Sequence, residues 1–215
     1  MKVINSCISF LLLTFLLSTT LSVTAQSKKD FFASPDKKAT WLGLDFTDLK
    51  IFGDTEADVQ AIKDQYFVSI NDLVLTEPDK YDVAKAFRRT KLVYDLTEVT
   101  RLNAQVDSNK LIVLNSEEVM KVTPERVQEL VSAYQLTETT GYGIVFIMEA
   151  FNKSKKVATM YVTVIDMASK KVLLTKRMEG KASGFGYRNY WARTVYEVLN
   201  TINSSAYNKW KAETN

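Results

Sequence analysis

Three alternating runs and one helical run dominate the pattern of apolar and polar positions. Residues 142–151, 157–166 and 172–182 alternate, joined by short lysine-bearing turns at 152–156 and 167–171. Opposing the first two runs across their turn sets Ala150, Met148, Phe146 and Ile144 against Ala158, Met160, Val162 and Val164, all on one face. The second turn sets Val164 against Leu174 and Met160 against Met178 on that same face, with Lys176 its one charged member. The other face pairs Thr163 with Thr175, Tyr161 with Arg177 and Thr159 with Glu179. That composition predicts a solvated or partner-facing surface, covered in part where Val145 and Ile147 project. Beyond a glycine-bearing loop at 183–187, Trp191, Val195, Val198, Leu199 and Ile202 recur at helical spacing. A helix from about Asn189 is therefore expected to cover the apolar face, with Asn203-Ser204-Ser205 as its weak point.

Upstream, Leu42, Leu44 and Phe46 alternate with Trp41, Gly43 and Asp45 and predict a strand over 38–46. After Gly53 the stripe Val59, Ile62, Tyr66, Ile70 and Leu73 predicts a helix that Pro78 ends. A short helix over 81–89, a strand from near Lys91 and a short strand over 111–114 follow, while 98–109 shows no readable period. Thr123-Pro124 opens a helix with the stripe Val127, Leu130, Val131 and Tyr134. This order predicts an α+β fold: a mainly antiparallel, mixed sheet ending in a three-strand meander, with helices packed mostly on one face.

The start of the chain changes the picture. Lys2, an apolar segment over 8–21 and the small residues Val23-Thr24-Ala25 have the form of an export signal, cleaved before Gln26. Residues 26–38 then form a polar, flexible lead-in, and 39–212 form one domain. Cys7 precedes the apolar segment, so it is not placed for lipid attachment, and residues 26–215 contain no cysteine. No later stretch reaches ~18 uninterrupted apolar residues, the length a membrane span needs. An exported protein, periplasmic or extracellular in a Gram-negative envelope, is expected. The formal charge is +3, and losing Lys2 leaves +2, which gives no general attraction to nucleic acid.

The chain has no histidine, which excludes Ser-His-Asp and Cys-His catalysis and removes the usual zinc ligands. Neither a cofactor nor a metal is expected, and no residue stands out as catalytic. Carboxylates remain: Asp45, Asp48, Glu117-Glu118 and Asp166 are scattered without a motif, but two of them across a cleft could hydrolyse a glycan. The most unusual phrase runs from Gly184 to Trp191. Its glycines and helix start could present backbone N–H groups to an anion, with Arg188 adding charge and Phe185, Tyr187 and Tyr190 offering stacking surfaces. The same residues could simply turn the chain and seal the core. Tyr161 and Arg177 form a candidate partner face. The lysines of 153–156 and 170–171 lie on successive turns, at opposite ends of a meander, and do not make one patch.

The phrase YVTVIDMASKKVLLTKRMEGKASGFGYRNYW, ahead of a terminal helix and after earlier strand–helix units, resembles bacterial envelope proteins of the CsgG, LpoB and TolB N-terminal type. The resemblance covers the last third of the chain. It implies an accessory or interaction module whose partner is an envelope protein or glycan, and it brings no catalytic residue.

Overall fold

Tyr142–Asn152 (β5) is apolar at nearly every position, and the fold buries it on both faces and along both edges. The computed structural model describes residues 26–114 and 122–214. The expected export signal with Cys7, and the Glu117-Glu118 pair, lie outside the described residues. One edge of β5 pairs antiparallel with Val157–Asp166 (β6), which pairs antiparallel with Lys171–Lys181 (β7). Along the other edge, Ala39–Asp45 (β1) and then Lys50–Phe52 (β2) run parallel to successive parts of β5. These two strands are thus one column, interrupted over 46–49. Leu92–Tyr94 (β3) lies parallel to β1, and Ile112–Val113 (β4) parallel to β2, as a broken outer column.

The expected mainly antiparallel sheet is therefore corrected. The path β3-β1-β5-β2-β4 is parallel throughout, and only the β5–β6–β7 hairpins are antiparallel, which makes the fold α/β in type. Helices separate β2 from β3, β3 from β4 and β4 from β5, and a helical crossover returns the chain to the same end of the sheet. A strand apolar at successive positions, as β5 is, marks one buried on both faces.

The helices are Lys28–Ala33 (α1), Val59–Ala61 (α2), Phe67–Thr76 (α3), Val83–Ala86 (α4), Thr97–Asn103 (α5), Pro124–Ser132 (α6), Tyr187–Thr201 (α7) and Tyr207–Ala212 (α8). A π turn, Ile62–Tyr66, joins α2 to α3, and another, Ile202–Ala206, joins α7 to α8. The expected weak point at 203–205 thus loosens the helix by one turn without ending it. Where a flexible lead-in is expected, α1 forms instead: Ser27 and Asp30 make a capping box, and Phe31 and Phe32 are buried. Arg89 holds α1 in place by donating to the Phe31 and Ser34 carbonyls, each at 2.9 Å.

Helices cover both faces, which corrects the expectation of one dry and one solvated side. The larger core joins α1, α3, α7 and α8 to Trp41, Phe146, Met160, Val162 and Leu174. Within it Phe151 stacks on Trp191 and Phe46 on Phe67, both pairs at 4.2 Å. Beyond β7, α7 comes so close that a Cβ on Gly180 would lie 2.1 Å from the Thr194 carbonyl oxygen. The smaller core packs the α6 stripe and Val99 of α5 on Leu42, Val145, Ile147, Tyr161 and Ile165. The chain moves outward from β1 to β3 and back from β4 to β5, so crossovers of one hand fall on opposite faces.

The hairpin register agrees with the alternation except near the two turns, the β6–β7 pairing shifting between Val164 and Ile165. Met148, Phe146 and Ile144 oppose Met160, Val162 and Val164, and Val164, Thr163, Tyr161 and Thr159 oppose Leu174, Thr175, Arg177 and Glu179. A bulge at Glu149 then sets Ala150 against Thr159, not Ala158. The extra residue brings Phe151 onto the larger core, where Trp191 meets it.

Candidate functional site

The chain's polar interior gathers where β1 ends and α6 begins. β3 pairs with β1 only as far as Trp41, so the backbone of β1 beyond that point needs other partners. Asn71 supplies them to Leu44, accepting from its N–H at 2.8 Å and donating to its carbonyl at 3.1 Å. Asn103 accepts from the Phe46 N–H at 2.8 Å and donates to the Leu44 carbonyl at 2.9 Å. Asp45, fully buried, accepts from the Tyr134 hydroxyl at 2.6 Å and the Thr47 N–H at 2.8 Å. Burial pushes the Asp45 carboxyl above the usual carboxylate range, and burial next to Asp45 pushes the Tyr134 phenol well up. Arg126, in the first turn of α6, forks onto Asp48 at 2.8 and 3.0 Å, and that hydrogen bonding raises its own pKa.

Beside the 46–49 interruption lies a hollow of about 370 Å³ lined by Thr47, Asp48, Lys50, Gln105, Asp107 and Lys110, among others. Its two carboxylates are occupied: Asp48 by Arg126, and Asp107 by the Asn109 N–H and Lys110. The Asn109 backbone bond is the main cause that holds Asp107 below the usual range. A general acid for glycoside cleavage needs a raised pKa and access to substrate. Among the described residues the carboxyl that burial raises is Asp45, and it has no exposed surface. Asp166 works as a turn holder, accepting from the Gln26 and Ala168 N–H groups and the Ser169 hydroxyl.

The candidate partner residues Tyr161 and Arg177 do face each other across β6 and β7. Tyr161 is buried against α6, whereas Arg177 is half-exposed and reaches Glu149 at 2.6 and 2.7 Å. Glu149 is only 1% exposed, and its Oε1 has no hydrogen-bond partner. Sequence reasoning missed Glu149, although a single acid in an apolar strand signals a need for a cation. Tyr134 and Arg126 were legible only as parts of a helix.

The candidate ligand loop divides into two halves. Gly184 and Gly186 both have positive φ, 115° and 78°, and between them Phe185 stands 94% exposed. Arg188 is also exposed and bonds only its neighbour Asn189, at 3.2 Å. Tyr187 and Tyr190 turn the other way. Tyr187 packs on Tyr66 with ring centres 4.7 Å apart, Tyr190 packs edge-on to Trp191 at 5.0 Å, and burial pushes the Tyr187 phenol well up. A shallow hollow of about 250 Å³ lies between them and Lys153.

Among the described residues no group of three or more acidic or cysteine side chains is placed to hold a metal, and no helix is long and apolar enough to cross a membrane. No protein family matches the chain, and no curated protein is significantly similar to it.

Proposed function

We propose that the chain is an exported binding or assembly module of the bacterial envelope, acting through contact and not through catalysis. The observation that carries this reading is the outer edge of the sheet. Val93 and Tyr94 are consecutive in β3 and point to opposite faces, yet they are 45% and 39% exposed. The helix layers leave these two side chains open, although Leu92 of the same strand packs against the larger core. Leu114, just past β4 in the same column, is 74% exposed. An uncovered strand with apolar side chains on both faces accepts an added strand from another chain, because main-chain hydrogen bonds and side-chain pockets are both on offer. The carboxylates near the interior hollow are tied to structural partners, which favours this reading over glycan hydrolysis.

Photo-crosslinkers placed at Val93 and at Leu114 are expected to give a discrete adduct in envelope preparations. One placed at Lys171, exposed in β7 at the opposite edge of the sheet, is expected to give none. Absence of an adduct at both edge positions, or the same adducts at all three, contradicts the proposal.

A further inference from the structure

Phe185 is the most exposed large apolar side chain among the described residues, and its turn is surrounded by cations. The β5–β6 turn and the loop after β7 meet at one end of the sheet. Val157 pairs with Lys181, and the Ala182 N–H donates to the Lys156 carbonyl at 2.8 Å. Lys153 lines the same hollow as Gly184 and Gly186. Lys155, Lys156, Lys181 and Arg188 are exposed around this end. The acids of the neighbouring 53–58 loop are mostly engaged: Asp54 pairs with Lys153 at 3.0 Å, and Asp58 caps α2 through the Ala61 N–H at 2.9 Å. Glu56 is the remaining acid of that loop.

We propose that the Gly184-Phe185-Gly186 turn, with these surrounding cations, docks the protein on an anionic lipid surface. A lone phenyl ring held out by two glycines loses nothing internal when it enters the acyl boundary, and it gains its whole transfer free energy there. The flanking ammonium and guanidinium groups then lie at headgroup level, where each is attracted to anionic lipid within a Debye length. The Tyr187 and Tyr190 rings, partly buried and packed against the core, anchor the turn at the helix start. This surface lies at the β7 side of the sheet, away from the β3 edge, and the proposal does not rest on that edge binding a partner.

The test is co-sedimentation of the mature chain from Gln26 with vesicles of phosphatidylethanolamine and phosphatidylglycerol at 7:3, and with vesicles of phosphatidylcholine alone. Starting at Gln26 keeps the apolar segment over 8–21 out of the measurement. Binding is expected to the anionic vesicles, weakening as salt rises. F185S is expected to weaken it roughly tenfold or more, given the transfer free energy of a phenyl group. K155E/K156E is expected to weaken it at low salt and to have little effect at high salt. Phe185 contacts no core residue, so F185S is expected to melt as the wild type does. No binding to either vesicle, equal binding to both, or binding unchanged by F185S overturns the proposal. None of those outcomes bears on crosslinking at Val93, so the two readings fail separately.

Discussion

The two faces of the sheet are held by different physics. On the α7 side the contact is nearly all hydrocarbon and aromatic ring, with Trp191, Val195, Val198 and Leu199 set on Phe151, Phe146 and Val162. On the α6 side a smaller apolar patch is bordered by buried polar groups: Asp45 with Tyr134, Glu149 with Arg177, and Glu98 with Arg101 at 2.7 Å. The first face follows from alternation alone. The second depends on each polar group finding a partner, because an unpaired buried group is costly. Shape dominates the α7 side, where Arg89 is a polar tie, and paired polar groups hold the other, the Glu149 Oε1 excepted.

The largest effect should come from the hydrocarbon side. Trp191→Ala removes a stacked, buried indole and is expected to cost about 3–5 kcal/mol in urea unfolding. If the α6 side carries most of the stability, the loss will be far smaller.

Next comes Tyr134→Phe, which leaves the buried Asp45 carboxyl one donor short, at an expected cost of about 1–3 kcal/mol. The pH dependence gives this pair a signature. The folded pKa of Asp45 is raised, by burial first, so folding takes up a proton between the ordinary and the raised value. Wild type should gain stability relative to Asp45→Asn as pH falls through that window, and lose it again as pH rises. A flat difference between the two unfolding profiles would mean that Asp45 is not closed off.

A smaller effect is expected from Arg177→Ala. Arg177 is half-exposed, so solvent screens the pair, but Glu149 would be left buried without its cation. A loss of about 1 kcal/mol is expected, and Glu149→Gln in the same background should recover part of it. Smallest of all is Lys38→Met. Its partner Glu138 is a partly exposed carboxylate held down to about 2, chiefly by the hydrogen bond from Lys38. That contribution is present above the ordinary Glu value and fades as pH falls toward about 2, so the variant and wild type should converge in acid. Melting curves at neutral pH and at pH 3 check this.

These contrasts also explain what the sequence made legible. The β5–β6–β7 hairpins, α6 and α7 were readable because each carries a long period, and α6 a signalled start as well, whereas α7 begins at Tyr187, ahead of the expected Asn189 and without a side-chain cap. β2 and β4 were not: three and two residues hold no period, and they exist because β5 offers them an edge. α5 has no clean stripe, since it buries Glu98 and Asn103 along with Val99. α1 is too short to show a pattern, yet Phe31 and Phe32 fix it. The parallel order was hidden because connectivity says which strands follow one another, not which lie side by side. Of the glycine loop, the sequence showed that its residues are unusual but not that Phe185 and Arg188 part from Tyr187 and Tyr190.

The central claim is that β5 is an interior strand, clamped between the β1/β2 column and β6 and sealed by helices on both faces. Residue-resolved native-state hydrogen exchange tests it. The amides of Ile144, Val145, Phe146, Ile147 and Met148 should all exchange only through global unfolding, and those of β3 and the outer side of β7 much sooner. Were alternate amides of β5 to exchange as fast as those of β7, β5 would be the open edge of a simple meander, and the sheet described here would be wrong.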